Sequence, residues 1–148
     1  YEKHSLDTVA DGASEKAMKL GFGFSQDMFS VGAVYEKTSD NLGTAQANKY
    51  GHNAMTVAGK MNMGSGAIKL AYVKAGQIGS TVDSGASMVS LGYDHSMSKR
   101  TTLYALYSKI SNDKAASYKF TQNSGASSTL AGAGASPSAI SMGIKHAF

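Results

Sequence analysis

The feature that most limits how this chain can fold is a rhythm of two. From about Lys16, the residues Met18, Leu20, Phe22 and Phe24 fall on one side of an extended chain, while Lys19, Gly21, Gly23 and Ser25 fall on the other. Successive side chains of a strand point to opposite faces, so this pattern is a β-strand with one oily face and one small, polar face. The alternation returns with Phe29, Val31, Ala33 and Tyr35, and then with Met55, Val57, Gly59 and Met61. It returns again with Ile68, Leu70 and Tyr72, with Val89, Leu91 and Tyr93, and with Leu103, Ala105 and Tyr107. The last strand sets Ile140, Met142, Ile144, His146 and Phe148 against Ala139, Ser141, Gly143, Lys145 and Ala147. Phase is least marked around Leu103, because Tyr104 and Leu106 put bulk on the second face too.

The connections between these strands alternate in length. Links of three to five residues at Gln26-Asp27-Met28, Gly64-Ser65-Gly66 and Ser96 to Lys99 are interleaved with long polar stretches from Thr38 to His52, Gly76 to Ser84 and Ser111 to Ser136. Short turns at one end and long loops at the other are the asymmetry of membrane-spanning barrels, and a soluble sandwich has no reason to keep it. Each strand runs for about ten residues, enough to cross ~24 Å of membrane at a tilt of ~45°. A barrel hides its lipid-facing band in alternate residues, which is why the mean hydropathy is only -0.21. No apolar run approaches the ~20 residues that a spanning helix needs.

Composition removes several function classes. With no Cys among 148 residues there are no disulfides, thiolate metal sites or cysteine nucleophiles. The net charge of +4 is scattered, with no Lys/Arg run of the kind that grips nucleic acid. Charged residues make up 16% of the chain, below the roughly 25% of soluble domains, so something other than a charged surface keeps it dispersed.

A short repeat marks one rim. Tyr-x-Lys recurs as Tyr1-Glu2-Lys3, Tyr35-Glu36-Lys37, Tyr72-Val73-Lys74 and Tyr107-Ser108-Lys109, each where a strand runs into a long loop. Tyr sets its ring at the hydrocarbon boundary with its hydroxyl wet, and a Lys two residues on reaches from the same face to surface phosphates. The other rim has its own aromatics in Phe24, Phe29, Tyr93 and Phe148. Tyr1 holds the position that closes a strand in the other units, so the expectation is about seven full strands and a stub of an eighth, forming one partial all-β, antiparallel transmembrane barrel over 1–148.

Two blocks carry a family resemblance. Leu91-Gly92-Tyr93-Asp94-His95-Ser96-Met97-Ser98-Lys99-Arg100-Thr101-Thr102-Leu103-Tyr104-Ala105-Leu106-Tyr107 resembles the penultimate hairpin of the trimeric general porins of β-proteobacteria. Pro137 to Phe148 is similar to their terminal strand, with apolar residues alternating back from a final Phe. The resemblance implies the C-terminal half of a sixteen-stranded barrel in the bacterial outer membrane, a homotrimer embedded in lipid and lipopolysaccharide. It also implies that Ile140, Met142, Ile144, His146 and Phe148 form the signal read by the barrel-assembly machinery, and that the protein is a passive channel for small hydrophilic solutes.

The second face offers an independent check on pore size. An eight-strand barrel fills its interior with side chains, whereas sixteen strands leave an aqueous channel. Gly21, Gly23, Ala58, Ala71, Ser90 and Gly143 are too small to fill a dry interior. On the same face stand Lys19, Lys60, Lys69, Lys145 and Arg100 against Glu36 and Asp94, a pore-lining set that favours anions mildly. Lys19 and Lys145 are the expected lumen residues, Arg100 a rim residue, and Lys60 and Lys69 flank a turn. The competing expectation is a small plugged barrel with a structural or adhesive role, followed by a barrel hydrolase.

Catalytic and metal chemistry finds little support. Asp94 and His95 are strand neighbours that face opposite ways, so Asp94-His95-Ser96 cannot form a relay. His52 has no identifiable inward serine partner, and neither it nor His4 falls in a zinc-ligand spacing. Asp7 and Asp11 read as solvated loop carboxylates rather than a calcium site. No cofactor and no metal is expected.

Overall fold

A computed structural model describes residues 1–5, 14–41, 48–120 and 132–148. Within them the chain forms β1 (Glu2–Ser5), β2 (Ser14–Gln26), β3 (Phe29–Asn41), β4 (Asn53–Met63), β5 (Gly66–Ala75), β6 (Ala86–Ser96), β7 (Thr101–Asn112) and β8 (Ser138–His146). All pair antiparallel with their chain neighbours in one sheet of order β1-β2-β3-β4-β5-β6-β7-β8. Among the described residues no helix is long and apolar enough to cross a membrane. Asp7 and Asp11 lie outside the described residues.

Register confirms the phase of each strand, because direct partners share a face. Leu91 faces Tyr107 and Tyr93 faces Ala105, which puts Leu103, Ala105 and Tyr107 on the oily side and settles the ambiguous strand. On the opposite side Leu106 faces Gly92, and Tyr104 faces Gly143. Bulk from β7 thus meets glycine on both neighbours, which is how these two large residues fit side by side on that face.

The strands and turns differ from the expected lengths. Two of the short links contain only two residues, Asp27-Met28 and Gly64-Ser65. Each opens on a positive φ, 35° at Asp27 and 57° at Gly64, as a tight hairpin of primed type requires. The link Met97 to Arg100 is held by Ser98, whose Oγ accepts the N–H of Arg100 at 3.2 Å and of Thr101 at 3.1 Å. At the other end β3 continues through Thr38, Ser39 and Asp40, expected as loop, because these residues still pair with Ala17, Lys16 and Glu15 of β2.

The molecule has no conventional core. Among the described residues no side chain is fully buried, and the buried apolar residues include only Ala67, Ala86, Ile110 and Ala116. Phe22 is 69% exposed, Val57 37%, Leu91 50% and Ile144 67%, so the oily face is turned outward and not packed against protein. One hollow on the opposite face is touched by residues of six strands, from Ser30 of β3 to Lys145 of β8, so the sheet curls around its small-residue side.

Candidate pore-lining face

Four of the sequence-predicted charges meet on the hollow side. Lys60, Lys69, Asp94 and Lys145 line the same concavity, together with Tyr104. Lys60 and Lys69 are direct partners across β4 and β5. Lys69 Nζ donates to Asp94 Oδ2 at 2.5 Å. The Lys145 ammonium stands 5.3 Å from the centre of the Tyr104 ring. Lys19 and Glu36, direct partners on β2 and β3, form their own ion pair at 2.6 Å nearer the loop end. Ser90 and Ser108, also direct partners on this face, share a hydrogen bond of 2.7 Å. Arg100 sits in the β6–β7 turn rather than on a strand.

The face has an electrical gradient along the strands that the sequence reading missed. Toward the loops, Glu2, Glu15, Glu36 and Asp40 fall on the inward parity, and Glu15 and Asp40 are direct partners. Asp40 is tied into its own loop, its carboxylate accepting the N–H of Lys49 at 3.0 Å and of Tyr50 at 2.7 Å. Toward the turns the excess is positive, with Lys60, Lys69 and Lys145 against Asp94. Like-charged partners directly opposite each other are unfavourable in a sheet, and this wall holds an acidic pair near one end and a basic pair near the other.

Register on the outer face gives the relative positions of the Tyr-x-Lys units along the strands. In the register, Lys3 is level with Ser39, two residues beyond Lys37 on the same strand. Lys37 is level with Asn53, which pairs on toward Gly76, two beyond Lys74. Lys74 is level with Ser87 and Ser111, two beyond Lys109. The repeat therefore slips by the same two residues, toward the turns, at every hairpin. A slip of ~6.6 Å along the strands for ~9.6 Å across them is a tilt of about 35°, the value at which all four units lie in one plane. Barrel strands of outer-membrane proteins tilt by roughly 35–45°.

The sequence matches the Gram-negative porin family over residues 2–115. The chain belongs to that family. It is also 31% identical, over 162 aligned positions, to Outer membrane porin protein 32 of Delftia acidovorans. That alignment covers 100% of this chain and 44% of the relative, so the chain spans less than half the length of the relative it matches. No solved structure matches it.

In this Gram-negative porin of the bacterial outer membrane, the two rows of expected rim residues lie at opposite ends of the strands. Tyr35, Tyr72 and Tyr107, with Lys37, Lys74 and Lys109, are exposed on the oily face at the loop end. At the turn end the Phe24 and Phe29 rings lie tilted at 42° with centres 5.7 Å apart, Tyr93 Oη meets His95 Nδ1 at 3.3 Å, and His146 packs edge-on to Phe148 at 5.0 Å. His146 Nδ1 is also bonded to Thr101 Oγ1 at 2.9 Å, which ties β8 to β7 beside Ile144. Asp94 faces the porin's hollow and His95 its oily side, so the two do not meet. His52 is engaged by Thr38 Oγ1 at 3.1 Å. Among the described residues no three metal-ligating side chains come together.

Proposed function

We propose that this chain is the C-terminal part of the wall of a water-filled channel through which small hydrophilic solutes and ions diffuse passively. The observation that carries the reading is the curled sheet itself. Its outward face is apolar and exposed, and its inward face is rich in Gly, Ala and Ser and carries charges that stay partly open to water even where they pair. In this sheet β1 and β8 are the two edges and do not pair with each other, which supports a wall segment of a larger barrel over a small plugged one. The matched relative is named a porin, and the tilt that would level the Tyr-x-Lys row falls in the range of membrane barrels.

In the assembled protein, Lys19, Lys60, Lys69, Lys145, Arg100, Glu36 and Asp94 line or border the lumen. The anion preference resides in its turn-end half, where the positive excess lies. The Tyr-x-Lys row levels the barrel against lipid and lipopolysaccharide phosphates, Ile140 to Phe148 is read by the barrel-assembly machinery, and three copies associate. The protein acts as a channel and catalyses no reaction. Planar-bilayer recording on the full-length protein tests this: stepwise conductance with a reversal potential displaced toward the anion is expected, and a folded barrel that gives no steps refutes it.

A further inference from the structure

The juxtaposition of Lys60 and Lys69 calls for an explanation beyond a general positive field. Partners across a strand pair bring their Cβ atoms to within about 5 Å, so two ammonium groups there repel unless an anion joins them. Among the described residues that line the hollow the one carboxylate is Asp94, and it pairs with Lys69. No ion pair or hydrogen bond to another described residue holds Lys60. The slip that levels the outer Tyr-x-Lys row also fixes heights inside. One residue of slip per strand carries the level of Lys60 past Lys69, through Asp94 on β6, beside Tyr104 on β7 and onto Lys145 on β8. At the tilt that would level the Tyr-x-Lys row, the cluster is therefore a band of three cations and one acid around the wall.

We infer that Lys60 and Lys69 form a docking site for a small multivalent oxyanion of the phosphate class, with Asp94 as its built-in competitor. The inference rests on this face lining a channel. An entering dianion bridges the two ammonium groups and relieves the like-charge contact that the fold leaves standing. Asp94 holds Lys69 from the side, so the incoming anion must share that lysine with a resident carboxylate and is bound only weakly. Weak binding suits a conducting site, because an ion must leave as readily as it enters. Lys145, at the same level, gives the next foothold around the wall, its ammonium held over the Tyr104 ring rather than consumed by a carboxylate.

Chloride current through the full-length porin, recorded in a planar bilayer while inorganic phosphate is added from the short-turn side, tests the assignment. A saturable fall in chloride current is expected. Lys60→Gln should weaken the apparent phosphate affinity about threefold, the effect of one exposed ion pair, and Lys60→Arg should keep it. Asp94→Asn should tighten it, a gain that a merely structural role for Asp94 does not produce. Lys114→Gln, a charge removed from an exposed loop, should leave it unchanged. Phosphate block that is absent, or that is the same in the wild type, Lys60→Gln and Asp94→Asn, overturns the site while stepwise conductance still upholds the channel; loss of conductance steps in the wild type overturns the channel reading itself.

Discussion

The ring of Tyr104 on β7 occupies the space that a side chain at Gly143 on β8 would need: a Cβ there would lie 2.7 Å from Tyr104 Cε1. The two residues are direct partners, and the arrangement lets the one large aromatic of the hollow lie along the wall with Lys145 beside it. Glycine is favoured here by close approach and not by backbone conformation.

Gly143→Ala is therefore expected to swing the movable Tyr104 ring off the wall and lower the stability of the terminal hairpin by about 0.5–1.5 kcal/mol, the scale of a displaced rotamer. Thermal unfolding of the refolded barrel measures it. In a double-mutant cycle the same glycine change made on Tyr104→Ala should cost almost nothing, since the obstacle is gone.

A second glycine locks two loops together. Gly79 has φ +55°, its N–H donates to Gly51 O at 2.7 Å, and a Cβ on it would come within 2.1 Å of Lys49 O. Gly79→Ala is strained in conformation and in space, at a cost on the order of 1–3 kcal/mol. The loops 48–52 and 76–85 should then be cut faster by protease, with single-channel conductance steps unchanged.

The level row of Lys37, Lys74 and Lys109 should hold phosphorylated lipid. Replacing all three by Gln is expected to remove about 1 kcal/mol of attraction per lysine to an anionic surface. Quantified lipopolysaccharide retained by the purified porin should fall, while the conductance of the pore stays as it was.

What the sequence revealed depends on where water and lipid lie on opposite sides of a strand. Between the rims, Phe22 against Gly23 or Leu91 against Ser90 writes the phase into the residues, and strand existence, order and outward face were legible. Above the rim both faces are wet, so Thr38, Ser39 and Asp40 carry no alternation and their pairing with β2 was missed. Heights were hidden for a different reason. The Tyr-x-Lys repeat is visible in sequence, but its steady slip of two residues per hairpin, and the place of Lys145 along the same slip from Lys60, follow only from register. So does the meeting of Lys60 with Lys69, which from sequence merely flanked a turn and in the sheet are direct partners in the hollow.

Cysteine accessibility along β6 bears most directly on the two-faced wall, and these 148 residues bring no Cys of their own to compete with the introduced one. Single cysteines at Val89, Ser90, Leu91, Gly92, Tyr93 and Asp94 in the full-length porin in liposomes would be treated with a charged, membrane-impermeant thiol reagent. Reaction at 90, 92 and 94, with 89, 91 and 93 silent to it but quenched by spin-labelled lipid once carrying a fluorophore, is the expected result. Uniform reaction along the strand, or protection of 90, 92 and 94 with 89, 91 and 93 open to water, would contradict the assignment of the two faces.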